Sequence, residues 1–219
     1  MKSLLRLLLI SFISPCMFSQ TAAYTVMLET NMGTMKCILY NVTPIHADNF
    51  VKLAREGFYD GQLFHRVISG FMIQAGDPNS KSAQKGQVLG HGNPGYTIPG
   101  EFYSFLYHKK GAIGAARQGD DINPNRESSG SQFYIVQGTV LSDNQMNAME
   151  ASRARIKFTP EQRAVYKTIG GTPHLDYAYS VFGEVIEGLE VIDKIASAPT
   201  DRMNRPVEDV KIIKVTVVK

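Results

Sequence analysis

The sequence predicts a mainly β fold: a barrel of short strands capped by helices, with a helical hairpin set between two strand regions. Three observations carry this. Short apolar runs at 63–68, 71–75, 112–116, 132–136 and 180–186 are separated by glycine-rich turns, as in all-β barrels. Only two helical patterns flank and interrupt these runs. A third helical block, near 140–171, interrupts them once more and carries its own start signals.

In chain order, residues 24–30 alternate with Tyr24, Val26 and Leu28 on one face, and residues 34–40 alternate with Met35, Cys37 and Leu39 on one face. Asn31-Met32-Gly33 between them reads as the turn of an opening β-hairpin. Thr43-Pro44 starts a helix, with Thr43 as N-cap and Pro44 at the first helical position. Ala47, Phe50, Leu53 and Ala54 form its apolar face and Gly57 ends it. Residues 77–100 are rich in Gly, Pro, Asn and Ser and read as a long loop. Ser142 with Gln145, and Thr159 with Gln162, each match a capping box. They predict helices over about 143–156 and 160–168, closed by Gly170-Gly171 and forming a surface appendage. A further helix fits 188–197, with Leu189, Ile192 and Ile195 on one face. Residues 209–218 end the chain as a strand whose alternation breaks at Ile212-Ile213, the mark of a bulge.

The chain has 219 residues, 43% apolar and 20% charged, enough for one soluble domain with a sizeable core. The first 23 residues differ. Lys2 and Arg6 precede an apolar run to Phe18, and Thr21-Ala22-Ala23 closes it. This is a secretory signal pattern, with cleavage expected after Ala23 and the domain over 24–219. The run is short for a spanning helix and Pro15 interrupts it. Export to the periplasm is expected, with a lipid anchor on Cys16 as the alternative. Removal of the segment takes away Lys2 and Arg6, leaving 21 basic against 20 acidic residues, a net charge of +1. That balance gives no clustered basic surface for nucleic acid. Cys37 would be the one remaining cysteine and reads as a buried apolar residue.

Two segments carry the chemistry. One runs Phe64-His65-Arg66 and continues through Gly70-Phe71-Met72-Ile73-Gln74-Ala75-Gly76-Asp77; the other is Gly130-Ser131-Gln132-Phe133-Tyr134-Ile135. Together they can line one groove with an arginine, two amides and several bulky apolar side chains. In this order, and followed by Leu175-Asp176 and Val181-Phe182-Gly183, they resemble the active-site segments of the cyclophilins, the cyclophilin-type peptidyl-prolyl cis-trans isomerases. The resemblance covers about 24–138 and 172–219, leaving the helical hairpin as an insertion. It implies a closed eight-stranded antiparallel barrel with two capping helices, and an enzyme that rotates Xaa-Pro bonds with no covalent step and no cofactor. Its partners would be proline-containing peptides and unfolded or partly folded exported proteins, and a monomer is expected.

Rotation about an Xaa-Pro bond faces a resonance barrier of roughly 18–20 kcal/mol. A catalyst must hold the ring, fix the flanking backbone and aim a donor at the proline nitrogen as its lone pair returns. The resemblance gives Arg66 the catalytic role and lines the proline pocket with Phe71, Met72, Tyr134 and Leu175. Gln74 and Gln132 would contact substrate and Arg66, and the backbone of Ala116 would bind the peptide. Arg117, Tyr179 and His174 stand where many members carry Asn, a pocket His and, in cyclosporin-sensitive members, Trp. His174 offers less apolar area and no indole N–H, which disfavours strong cyclosporin binding.

Other chemistries fit less well. The five histidines are scattered without metal-ligand spacing, so no metal is expected. Ser128, Ser129 and Ser131 lack a Gly-x-Ser-x-Gly elbow, and no nucleophile–base pair is evident. His65 reads as a hydrogen-bonded core histidine. Phe133 is expected to face the barrel interior and Tyr134 the groove, because successive side chains of a strand alternate.

Overall fold

The computed structural model describes residues 21–219. In chain order its elements are β1 (Ala22–Thr30), β2 (Gly33–Tyr40), α1 (Pro44–Arg55), β3 (Arg66–Ile68), β4 (Met72–Ala75), β5 (Thr97–Ile98), β6 (Ala112–Ala115) and β7 (Ser128–Ser129). There follow β8 (Phe133–Val136), α2 (Asp143–Ser152), α3 (Pro160–Thr168), β9 (Val181–Glu187), α4 (Leu189–Ala196) and β10 (Ile212–Val217). Eight strands form one antiparallel sheet in the order β10-β1-β2-β9-β6-β8-β4-β3, and β5 pairs with β7 separately. The expected signal segment and Cys16 lie outside the described residues, apart from its last three positions. Ala22 and Ala23 belong to β1, so cleavage after Ala23 would remove the first two residues of that strand.

The sheet is open, which corrects the closed barrel expected from the resemblance. Its edge strands β3 and β10 share no ladder. β3 is only three residues long, and the chain before it meets the start of β10 through single bonds: Gly61 N–H to Ile212 O (2.9 Å), Ile212 N–H to Gln62 O (2.8 Å) and Phe64 N–H to Val210 O (2.9 Å).

Strand alternation sends the two faces to different cores. Val67, Ile73, Phe133, Ile135, Cys37 and Val185 join the main core, which α1 covers with Phe50 and Leu53 and α4 with Ile192 and Ile195. On α4 the buried stripe is Val191, Ile192, Ile195 and Ala196, while Leu189 is half-exposed. Met72, Tyr134, Val136, Ala112 and Val181 form a second cluster on the opposite face. Phe133 and Tyr134 therefore divide as alternation requires. Burial pushes the Cys37 thiol up to about 12, leaving it an apolar filler. The bulge also falls where expected: Glu29 pairs with Lys214 and Thr30 with Ile212, so Ile213 is the extra residue.

Both capping boxes form, on Ser142 and Thr159. α2 ends at Ser152 rather than 156, and the chain beyond it turns in to bury Ile156 completely. The helical pair has a small core: Leu141, Met146 and Tyr166 pack with Tyr107, Met149 and Phe158, and Tyr166 is fully buried.

The start of α1 departs from its sequence signal. Thr43 stands at the N-cap but makes no side-chain cap bond. The carboxylate of Glu101 takes the place, accepting from Ile45 N–H (3.3 Å) and His46 N–H (3.0 Å). A negative charge there also complements the helix dipole. Glu101 Oε2 lies 2.6 Å from His46 Nδ1, and His46 Nε2 lies 2.9 Å from Ser128 Oγ. One buried carboxylate thus ties α1 to β7. Glu101→Ala should lower unfolding stability by about 2–4 kcal/mol, since it strips two cap bonds and orphans a buried imidazole. Glu101→Gln should lose less, because its amide oxygen still accepts; urea unfolding of the three proteins compares them.

Candidate active site

The groove face is organised by strand register. Arg66 on β3 pairs with Gln74 on β4, Gln74 with Tyr134 on β8, and Tyr134 with Gly114 on β6. Directly opposed residues of an antiparallel ladder point to the same side, so these four form a row across four strands. Gly114 is required at its end, because a Cβ there would fall 2.4 Å from the Tyr134 ring.

Polar contacts run along the row. Arg66 Nη1 donates to Gln74 Oε1 (3.2 Å), and Gln74 Nε2 donates to Gln132 Oε1 (3.0 Å). Gln132 Nε2 donates to Gly90 O (3.0 Å) and Gly92 O (2.7 Å). The same loop is held from its other side by Asp77, whose Oδ2 accepts from Gly90 N–H (2.5 Å) and Gly92 N–H (3.3 Å). Gly92 must be glycine, since a Cβ would sit 2.0 Å from Asp77 Oδ1. The two glutamines are thus spent on holding Arg66 and the loop in register. Arg66 itself is half-buried, and its guanidinium remains a charged fork of several donors.

Beside Arg66 lies the apolar cluster. Met72 and Tyr134 are buried and form its floor; Phe71, Ala116, Leu175 and Tyr179 are half-buried around them. The His174 ring packs 5.3 Å from Phe71, and the Tyr179 ring meets Tyr134 edge-on at 6.1 Å. Burial, reinforced by Arg153, keeps the His174 imidazole below its ordinary range. Arg117 is internally engaged: Nε donates to Ala178 O (2.8 Å), Nη1 pairs with Asp120 (2.7 Å), and its guanidinium carbon lies 4.5 Å from the centre of the Tyr179 ring. It props Tyr179 at the rim. All eleven residues singled out in the sequence therefore gather around one surface. A cavity of about 230 Å3 shares Arg66 and Gln74 with that surface, but its other walls are His65, residues 86–90, Asp201, Met203 and Arg205.

Sequence reasoning missed several groups. Ser128, His46 and Glu101 form a serine–histidine–carboxylate chain, contrary to the expected absence of a nucleophile–base pair. All three are at least 91% buried, and the carboxylate caps α1, so the chain is structural. No spacing signal could have found it, because its members lie 27 and 55 residues apart on loop, helix and strand. His65 is buried, but among the described residues neither ring nitrogen meets a hydrogen-bond partner, which corrects its reading as a bonded core histidine. Among the described residues no three or more His, Cys, Asp or Glu side chains gather as a metal site. No helix among them is long and apolar enough to cross a membrane.

Residues 25–217 match the family model for cyclophilin type peptidyl-prolyl cis-trans isomerases. A Staphylococcus haemolyticus protein named as a peptidyl-prolyl cis-trans isomerase is 34% identical over 194 residues, covering 88% of this chain and 90% of that protein. A Streptococcus pyogenes protein named as a bifunctional phosphatase/peptidyl-prolyl cis-trans isomerase is 35% identical over 198 residues, 88% of this chain, which spans 38% of that longer protein. The crystal structure of a Cryptosporidium parvum cyclophilin type isomerase superposes with a TM-score of 0.64 at 26% identity, over 90% of this chain and 98% of the other. A second crystal structure of that protein, in the presence of the dipeptide Ala-Pro, gives 0.63 at 24% identity, over 89% and 99%.

His65 yields a test of the packing behind Arg66. Burial lowers its imidazole from 6.5 to about 4, against the opposing pull of Asp77. Between those values the unfolded chain binds a proton that the folded chain refuses, so stability falls as the pH drops from 6.5 to about 4. The loss from this group is on the order of 3 kcal/mol. His65→Leu should remove that part of the acid sensitivity, and urea unfolding across the window reads the difference. Parallel pH profiles of parent and variant would contradict it.

Proposed function

The chain belongs to the cyclophilin-type peptidyl-prolyl cis-trans isomerases, and on that premise we propose that Arg66 carries the rotation of Xaa-Pro bonds in segments of exported proteins. The observation that supports this most is the fixed place of Arg66 beside the apolar cluster, held through Gln74 and Gln132. A proline ring seated against Phe71, Met72, Tyr134 and Leu175 would bring its nitrogen near a guanidinium that cannot lose its charge. As the amide twists, the nitrogen becomes pyramidal and regains a lone pair. A donor already in place stabilises that state more than the planar one, and every tenfold in rate takes about 1.4 kcal/mol of such difference. No bond is made or broken, so the reaction asks for no nucleophile, proton relay or cofactor.

The Ala-Pro dipeptide present with the Cryptosporidium parvum relative supports proline-containing peptides as the ligand class. The basic and apolar opening of residues 1–23 supports export, and the helical pair reads as an addition to the family's sheet. Uncatalysed Xaa-Pro isomerisation takes tens to hundreds of seconds and can limit folding, which gives an exported isomerase its use on newly folding clients.

Exchange NMR on a short Xaa-Pro peptide tests the reading. The parent should accelerate exchange, and Arg66→Ala should lose roughly a hundredfold of that effect, the scale of removing one preorganised donor. Circular dichroism should show both proteins folded. A folded parent that leaves exchange at its uncatalysed rate would overturn the proposal.

A further inference from the structure

Three buried polar side chains that the isomerase reading does not use, Tyr166, Asp176 and His108, connect the helical pair to Tyr134 in the floor of the apolar cluster. Tyr166 on α3 donates its hydroxyl to Asp176 Oδ2 (2.7 Å). Asp176 Oδ1 lies 2.9 Å from the backbone nitrogen of His108 and 2.8 Å from its Nδ1. His108 Nε2 lies 2.8 Å from the hydroxyl of Tyr134. Tyr166 and His108 are 0% exposed, Asp176 3% and Tyr134 4%.

The carboxylate sets the direction of the bonds it receives. A carboxylate only accepts, so His108 Nδ1 carries its proton toward Asp176. His108 Nε2 and the Tyr134 hydroxyl make the remaining hydrogen bond (2.8 Å). Burial holds the Tyr134 and Tyr166 hydroxyls well above the ordinary phenol value, so both keep their protons. Asp176 receives three donors, one from α3 and two from His108. The Tyr134 ring is thereby held at two points. The ring lies so near Gly114 that a Cβ there would fall 2.4 Å from it, and its hydroxyl bonds His108, whose ring stacks at 5.9 Å.

The same helical pair touches the rim by a second route. Arg153 Nη1 and Arg155 Nη2, from the turn between α2 and α3, both donate to His174 O (3.2 and 3.1 Å). The Tyr177 hydroxyl donates to Lys157 O in that turn (3.2 Å). The stretch 174–177, which carries Leu175, is thus gripped from outside by the turn and from inside by Tyr166.

We propose that α2 and α3 brace the proline pocket, with Tyr166, Asp176 and His108 as positioning residues that act through the Tyr134 hydroxyl. The inference rests on the pocket reading above and adds a task for the helical pair. A pocket whose aromatic floor cannot swing holds the ring in one pose, so the brace favours substrate affinity.

A double-mutant cycle on the full chain tests it, using Tyr166→Phe, Tyr134→Phe and the pair. Each change keeps the ring and deletes one hydroxyl. Three quantities are read: kcat and KM on an Xaa-Pro peptide, affinity for the same peptide by NMR titration, and the 15N shifts of the His108 ring. Tyr166→Phe should weaken affinity roughly three- to tenfold, the ratio that one ordinary hydrogen bond commands, mainly through KM, and should move the His108 signals. In the Tyr134→Phe background it should cost nothing further, because coupled residues are not additive. Unchanged affinity and His108 shifts in folded Tyr166→Phe would overturn the brace, and so would losses that multiply in the pair. If the parent binds peptide without catalysing exchange, the isomerase reading fails, while affinity and the His108 shifts still decide the brace.

Discussion

The arrangement depends on one constraint, the antiparallel register of β3, β4, β8 and β6. Pairing Arg66 with Gln74, Gln74 with Tyr134 and Tyr134 with Gly114 puts a charge, an amide and an aromatic ring in line on one face. A slip of one residue would turn all of them into the main core and bring Val67, Ile73 and Ile135 to the surface. The register is held by what lies beneath, since those three apolar side chains are buried. Core packing and site geometry are two faces of the same four strands.

Around that row, polar groups are spent on fixing loops. Asp77 and Gln132 clamp the segment at Gly90 and Gly92 from opposite sides, and Glu101 ties the start of α1 to β7. Buried groups of this kind are costly to leave unpaired, so each bonded cluster favours a single loop geometry. Among the described residues His65, Gln62 and Thr172 keep buried polar atoms without a partner, and burial is what lowers the His65 imidazole. The helical pair belongs to the same scheme, because its Tyr166 completes the set of donors on Asp176.

The periodic parts of the fold were legible in the sequence. Alternation placed β1, β2 and the β10 bulge, and separated Phe133 from Tyr134. The Ser142 and Thr159 boxes set the starts of α2 and α3 within one residue. Motif order marks Arg66, Gln74, Gln132 and the apolar cluster as one set. The errors lie where partners are distant. Thr43 fits a cap by local rules, yet Glu101 caps the helix from 55 residues beyond His46. Leu189 fits the helical stripe, but the stripe that meets the sheet is rotated to Val191 and Ile192.

By itself the sequence determined the class of fold, the family and the set of side chains that meet at the groove, because hydrophobic period, capping chemistry and short motifs are local properties of the chain. Only the tertiary structure decided that the sheet stays open, that Gln74 holds Arg66 while Gln132 holds Gln74 and the loop at Gly90 and Gly92, and that Tyr166, Asp176, His108 and Tyr134 form one chain. Closure depends on how two edge strands meet. A buried hydrogen bond depends on which donor reaches which acceptor once the core has packed. Neither is written in the spacing of residues along the chain, because both arise from contacts between segments that only folding brings together.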